Sequence, residues 1–125
     1  MQNGASGQSK VYVLGITFKP DVPDCRNSRV PDIVAELEAF GAEVKVSDPI
    51  ANPDTVRREF GINLVTEDEL RSADAIVLAV PHQGYIEQGW KLVERLSDKP
   101  NFIVSDVHAV LERSNKPQSV KLWRL

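Results

Sequence analysis

Within residues 15–28 the chain gathers a phenyl ring (Phe18), an ammonium (Lys19), two carboxylates (Asp21, Asp24), a thiol (Cys25), a guanidinium (Arg26) and a hydroxyl (Ser28). Pro20 and Pro23 mark this stretch as a loop, and a long loop so furnished inside a compact domain is more often functional than passive. Arg26 can fork to a phosphate, or it can pair with Asp21, Asp24 or Asp48 to fix the loop; the pairing is the preferred reading. Asp24 and Ser28 read as a loop staple and a helix cap. Cys25 reads as a small filler, because its nearest cation is Arg26 and no histidine adjoins it in sequence. Three further polar residues follow apolar runs: Asp48, His82 and His108.

The elements that must position these residues are legible as short β-branched runs alternating with helical patterns. Strands are expected at 11–14, 43–46, 62–65, 75–80 and 102–104, with a terminal one through Val120, Leu122 and Trp123. Ser28 predicts the N-cap of a first helix, with Pro31 in its first turn, Val30, Ile33, Val34, Leu37 and Phe40 as one apolar stripe, and Gly41 as its stop. Asn52 and Pro53 open a second helix, with Val56 and Phe60 inward and Gly61 at its end. Thr66 and Glu69 have capping-box spacing for a short helical turn through Leu70 and Ala73. A further helix is expected with Ile86, Trp90, Val93 and Leu96 on its buried side.

This order predicts an α/β fold, a single doubly wound Rossmann-like domain around a five- or six-stranded, mostly parallel sheet over residues 10–125. Residues 1–9, small and polar, read as a flexible leader. Ligands of such sheets bind at the carboxyl ends of the strands, which selects the loops at 16–28, 47–52, 81–84 and 105–108.

Composition narrows the ligand. At 125 residues the chain fits one domain, and 42% hydrophobic with 26% charged residues is globular composition. Fifteen Lys and Arg against eighteen Asp and Glu leave a net charge of −3, which offers no footprint for nucleic acid or an anionic membrane. Any bound anion must therefore be held by a local site. The longest apolar run, 75–80, is too short to span a bilayer. The lone cysteine cannot form an internal disulfide, so a reduced, cytoplasmic setting is the default.

A dinucleotide site is the first hypothesis to try, since a strand ending in Gly15 precedes a helix and Asp48 ends the second strand. A pyrophosphate cradle needs glycines in that turn, yet Ile16, Thr17, Phe18, Lys19 and Pro20 follow Gly15. A small independent NAD-binding protein is thereby disfavoured. Asp48 is either a ribose ligand or, as Asp-Pro pairs favour, the opener of a turn.

The loop resembles that of the C-terminal domain of the UDP-glucose/GDP-mannose dehydrogenase family, which reads roughly Gly-x-(Thr/Ala)-Phe-Lys-x-(Asp/Asn)-x-x-Asp-x-Arg-x-Ser. Gly15, Thr17, Phe18, Lys19, Asp21, Asp24, Arg26 and Ser28 fill its fixed positions. Asp48-Pro49 and the terminal strand are similar to the family too, and Arg29-Val30 is similar to its N-acetylhexosamine subgroup. The resemblance implies an NAD-dependent enzyme that oxidises the C6 hydroxymethyl of a UDP-sugar to a carboxylate through a cysteine-bound intermediate, for polysaccharide biosynthesis. It implies that NAD and the nucleophile belong mainly to an N-terminal Rossmann domain, that a central helical domain dimerises the enzyme, and that this chain matches only the lid over the sugar nucleotide. Alone, the chain is then expected to be inactive, with the UDP-sugar and those other domains as its partners. The rival reading is a freestanding nucleotide-sugar-binding or regulatory module without a catalytic partner.

By the same resemblance, Lys19 reaches toward nucleotide or sugar oxygens and Phe18 packs beside it to close the site. His82 stands where family loops line the interdomain cleft, against the alternative of an imidazole bonded to backbone. His108 stands where many members carry Lys or Arg. An imidazole there weakens the phosphate contact, loses it or makes it pH-sensitive.

Overall fold

The computed structural model describes residues 8–123, so most of the expected leader lies outside the described residues. Five strands, β1 (Lys10–Leu14), β2 (Glu43–Ser47), β3 (Ala75–Leu78), β4 (Phe102–Asp106) and β5 (Val120–Trp123), form one sheet in the order β2-β1-β3-β4-β5. All four neighbouring pairs are parallel. The helices are α1 (Val30–Ala39), α2 (Pro53–Phe60), α3 (Gln83–Gln88) and α4 (Trp90–Leu96), with single 3₁₀ turns at Glu67–Glu69 and Arg113–Asn115.

Alternation along the strands explains why the sheet is covered on both faces. Successive side chains of a strand point to opposite faces. Tyr12 and Leu14 of β1 join Ile76, Leu78, Leu92 and Val104 in one core, while Val13 joins Val30, Val34, Val46 and Val56 in the other. The first core lies under α3 and α4, the second under α1 and α2. This is the doubly wound arrangement that near-continuous apolar strands require.

Local signals set most helix ends. Asn52 Oδ1 accepts from the Asp54 and Thr55 N–H groups at 2.9 and 3.1 Å, and Gly61 closes α2 in the left-handed region at φ 68°. Gly41, at φ 94°, ends α1 with a Schellman pair, Gly41 N–H to Glu38 O and Ala42 N–H to Leu37 O.

Four local expectations are corrected. Residues 62–65 form no strand: Val65 N–H reaches Val46 O at 2.9 Å, but no ladder follows, and Ile62 and Leu64 pack against the α1–α2 core instead. Their alternation records packing past the sheet edge, not pairing. The single helix expected after β3 is broken at Gly89 (φ 57°, ψ −136°), and the break turns Tyr85 inward (1% exposed) while Ile86 faces outward (40%). Phe40, assigned to the inward stripe of α1, is 91% exposed, because it caps the helix where the chain turns off the sheet. α1 begins one residue later than Ser28 implied, with Arg29 at the cap position, although Ser28 Oγ still accepts from Val30 N–H at 3.2 Å.

Candidate functional site

β1 is flanked by β2 on one side and β3 on the other, so the chain leaves the carboxyl ends of β1 and β3 toward opposite faces. That divergence is the switch point where open α/β sheets bind ligands. A cleft of about 330 Å³ opens there, walled by the β1–α1 loop (Thr17, Phe18), the start of α1 (Ser28, Arg29), Val80 beyond β3 and His108 beyond β4.

The turn that follows β1 offers no glycine cradle for the pyrophosphate of a dinucleotide. Gly15 sits at φ 98°, and a Cβ placed on it would lie 2.6 Å from Val80 Cβ and 2.9 Å from Val80 N. The glycine serves close packing of strand ends and leaves no cradle above it. Asp48 is equally committed. Its side chain is fully buried; Oδ2 accepts from Ile16 N–H (2.7 Å), Thr17 N–H (3.3 Å) and His82 Nε2 (2.9 Å), and Oδ1 from Ile50 N–H (2.7 Å) and Ala51 N–H (3.0 Å). Burial by itself would raise its pKa, but the bonds from His82 and from the backbone outweigh burial and hold it at about 2. Of the two readings of Asp48, the turn opener is the one built here. The residues of this chain therefore do not fit a dinucleotide.

His82, expected to line the cleft, lies beneath it with its side chain 1% exposed. Nδ1 accepts from Asp21 N–H at 2.9 Å and Nε2 faces Asp48 at 2.9 Å, with Thr17 Oγ1 at 3.4 Å. An atom that accepts an N–H bond carries no proton, so the proton of the ring sits on Nε2 and is donated to Asp48. Tyr85, whose phenol is pushed upward by burial and by the Asp48 charge, stays a neutral donor to Ser47 O at 3.4 Å and tilts against the imidazole.

Of the other candidates, Phe18 and His108 line the cleft and Lys19 stands beside Phe18. Phe18 is 51% exposed, and Lys19 Nζ stands 5.9 Å from its ring centroid, within cation–π range. Arg26 is turned to Asp24 in a two-pronged pair (3.1 and 3.2 Å), with Arg26 N–H adding 2.9 Å, and it does not line the cleft. That pairing holds the Asp24 carboxyl below its ordinary range. His108 Nε2 donates to Ala79 O at 3.1 Å while its ring lines the wall. Cys25 is buried, and burial pushes its thiol upward, away from the thiolate.

Arg29 is a wall residue that the sequence offered only within the subgroup-like Arg29-Val30 pair, not as a site residue. Its signal was positional: it follows Ser28 at the first turn of α1, where the helix presents its positive end. A second hollow of about 320 Å³ beside the end of β2 is walled by Glu67 and Asp68 and has no basic wall residue, so charge distinguishes two spaces of equal size. Among the described residues no group of three His, Cys, Asp or Glu side chains is placed to hold a metal, and no helix is long and apolar enough to cross a membrane.

Residues 12–113 match the model of the UDP-glucose/GDP-mannose dehydrogenase family, UDP binding domain. Protein CapL of Staphylococcus aureus is 36% identical over 115 residues, which are 92% of this chain and 27% of CapL. UDP-N-acetyl-D-glucosamine 6-dehydrogenase of Salmonella typhi is 43% identical over 81 residues, 65% of this chain and 19% of that enzyme. The crystal structure of NDP-N-acetyl-D-galactosaminuronic acid dehydrogenase from Methanosarcina mazei Go1 superposes with a TM-score of 0.81 at 27% identity, covering 94% of this chain and 24% of that one. The chain thus spans about a quarter of the length of these proteins, or less.

Proposed function

The chain belongs to the UDP-glucose/GDP-mannose dehydrogenase family, and from that premise we propose that it is the UDP-sugar-binding lid of an NAD-dependent nucleotide-sugar 6-dehydrogenase. On this reading the enzyme acts on a UDP-N-acetylhexosamine in the cytoplasm, supplies polysaccharide synthesis and works as a homo-oligomer. On this reading the whole enzyme would oxidise the C6 hydroxymethyl to a carboxylate, with NAD as the class of oxidant and water as the source of the second oxygen. NAD is held by a part of the enzyme outside this chain, in keeping with the poor fit of the first turn to a dinucleotide.

The observation that carries this reading is the cleft at the β1–β3 switch point, with Arg29 and His108 in its wall and Lys19 at its rim. Two cations, an imidazole and a helix N-terminus around one concavity suit a diphosphate in an otherwise acidic chain. Lys19 and Arg29 then hold pyrophosphate oxygens, His108 supports them from the β4 side, and Phe18 packs against the ligand. Arg26 and His82 act on the loop that carries Lys19, not on the ligand itself.

Titration calorimetry of this chain with UDP and with NAD tests the proposal. UDP should bind and NAD should not; Lys19→Ala should weaken UDP about tenfold, the loss of one charge-assisted contact. With NAD and a UDP-N-acetylhexosamine together, the chain alone should form no NADH. Turnover by the isolated chain, or NAD binding as tight as UDP binding, overturns the reading.

A further inference from the structure

The loop that carries Phe18 and Lys19 is anchored from below at two points, and one buried ring joins the two. Asp48 at the end of β2 fixes the start of the loop through Ile16 and Thr17 N–H. Asp48 also receives the Nε2 proton of His82, at the end of β3. The opposite ring nitrogen accepts from Asp21 N–H, on the far side of Lys19. Asp21 in turn accepts from Gln83 N–H at 2.9 Å, at the first residue of α3, and holds a left-handed conformation (φ 63°) to do so. The relay Asp48–His82–Asp21–Gln83 thus ties the segments after β2 and β3 to the loop that leaves β1.

From this juxtaposition we propose that His82 is a positioning residue: it fixes the register of the Phe18–Lys19 segment over the cleft by presenting Nδ1, unprotonated, to Asp21 N–H. The inference rests on the UDP-binding reading of the cleft for its functional consequence. Its structural part stands without that reading. The physical reason is the tautomer. A ring with its proton on Nδ1 would set two donors, Nδ1–H and Asp21 N–H, against each other and would leave Asp48 without its side-chain donor. Asp48, already bonded to four backbone N–H groups and buried, keeps the Nε2 proton in place and so keeps Nδ1 free to accept. A ring this deep does not touch a ligand, yet it decides where Lys19 stands.

Two substitutions separate the two ends of the ring. His82→Asn places a carbonyl oxygen near the Nδ1 position and keeps the acceptor for Asp21 N–H, while losing the donor to Asp48. His82→Gln places an amide nitrogen near Nε2 and keeps the donor to Asp48, while losing the acceptor for Asp21. The Asn variant should be the less stable of the two, because it takes the one side-chain donor from a buried carboxylate, yet it should bind UDP within about threefold of wild type. The Gln variant should melt closer to wild type and bind UDP about tenfold more weakly, the worth of one lost anchor. Stability and affinity therefore rank the variants in opposite orders, which a merely structural role cannot produce.

In the wild-type chain, the imidazole ¹⁵N spectrum should show the Nε2–H tautomer for His82, and the Asp21 amide should be protected from hydrogen exchange. That protection should survive in the Asn variant and vanish in the Gln variant. If UDP fails to bind wild type, the function reading falls while the exchange pattern still decides the positioning role. If neither variant folds, the wild-type tautomer and the protection of the wild-type Asp21 amide decide the proposal by themselves. An Nδ1–H tautomer, an unprotected Asp21 amide in the wild-type chain, or equal Asp21 exchange in both variants overturns the proposal.

Discussion

Two carboxylates lie close to the same loop and have opposite physical weight. Asp48, buried, gathers four backbone N–H groups and the imidazole of His82; Asp24, at the surface, gathers Arg26 with comparable bond lengths. Counted by contacts, each is a small network around one acid. Solvent makes the difference: the Asp24–Arg26 pair is exposed on both sides, where water screens the charges and ordering two mobile side chains offsets most of the gain. Around Asp48 no water competes, so each bond keeps more of its strength and each missing bond costs a desolvated group. The buried acid organises the loop from below, and the exposed pair decorates its rim.

Removing the buried hub should have the largest effect. Asp48→Ala leaves the donors of Ile16, Thr17, Ile50, Ala51 and His82 without their Asp48 acceptor, and should cost about 3–5 kcal/mol in denaturant unfolding. A loss under about 1 kcal/mol would erase the contrast with Asp24. Gly15→Ala comes next, at about 2–3 kcal/mol, since it combines a left-handed backbone at φ 98° with a Cβ 2.6 Å from Val80. An unchanged melting temperature would mean that the β1 and β3 ends can part freely.

Acid sharpens the same comparison without a mutation. The Asp48 pKa is held at about 2 in the folded chain, below its ordinary 3.8. Its contribution is therefore complete above the unfolded value and is lost as pH falls through the folded one. About 2 kcal/mol of stability should disappear between roughly pH 4 and pH 2, and Asp48→Asn should flatten that part of the curve; an unaltered slope would place the acid sensitivity elsewhere. On the ligand side, His108→Lys supplies a permanent cation in the cleft wall and should tighten UDP about threefold. Equal affinity in calorimetry would show that position 108 stays turned to Ala79 O. The smallest effect is expected for Arg26→Ala, which should melt close to wild type because water screens the exposed pair; a clear loss of UDP affinity would show that Arg26 leaves Asp24 for the ligand.

Much of the scaffold was legible because its signals are local or periodic. The apolar runs of β1 and β3, the Asn52 cap, the Gly41 and Gly61 stops and the long loop at 15–28 each depend on residues near one another in the chain. The misreadings share one cause. Apolar residues at 62–65, Phe40 and Ile86 carry the right periodicity, but whether such a residue pairs, packs or faces solvent depends on distant elements and on the break at Gly89. The site divides in the same way. Phe18, Lys19 and His108 stand at the cleft because strand ends in a parallel sheet point there, a rule the element order already contains.

The sequence by itself determined the layer architecture and the end of the sheet where a ligand must lie, since both follow from the alternation of apolar runs with capped helices. It also implied that any anion the chain binds is held by a local site, because the chain is acidic overall. Only the tertiary structure decided which polar residues were spent on the fold and which were left for a ligand. Asp48, His82 and Asp21 are separated by 34 and 61 residues in the pairs that join them, and nothing in any one stretch announces that their bonds interlock. A hydrogen bond between buried groups exists only when two backbones have been brought to within about 3 Å, and that approach is a property of the packed sheet, not of the residues that meet across it.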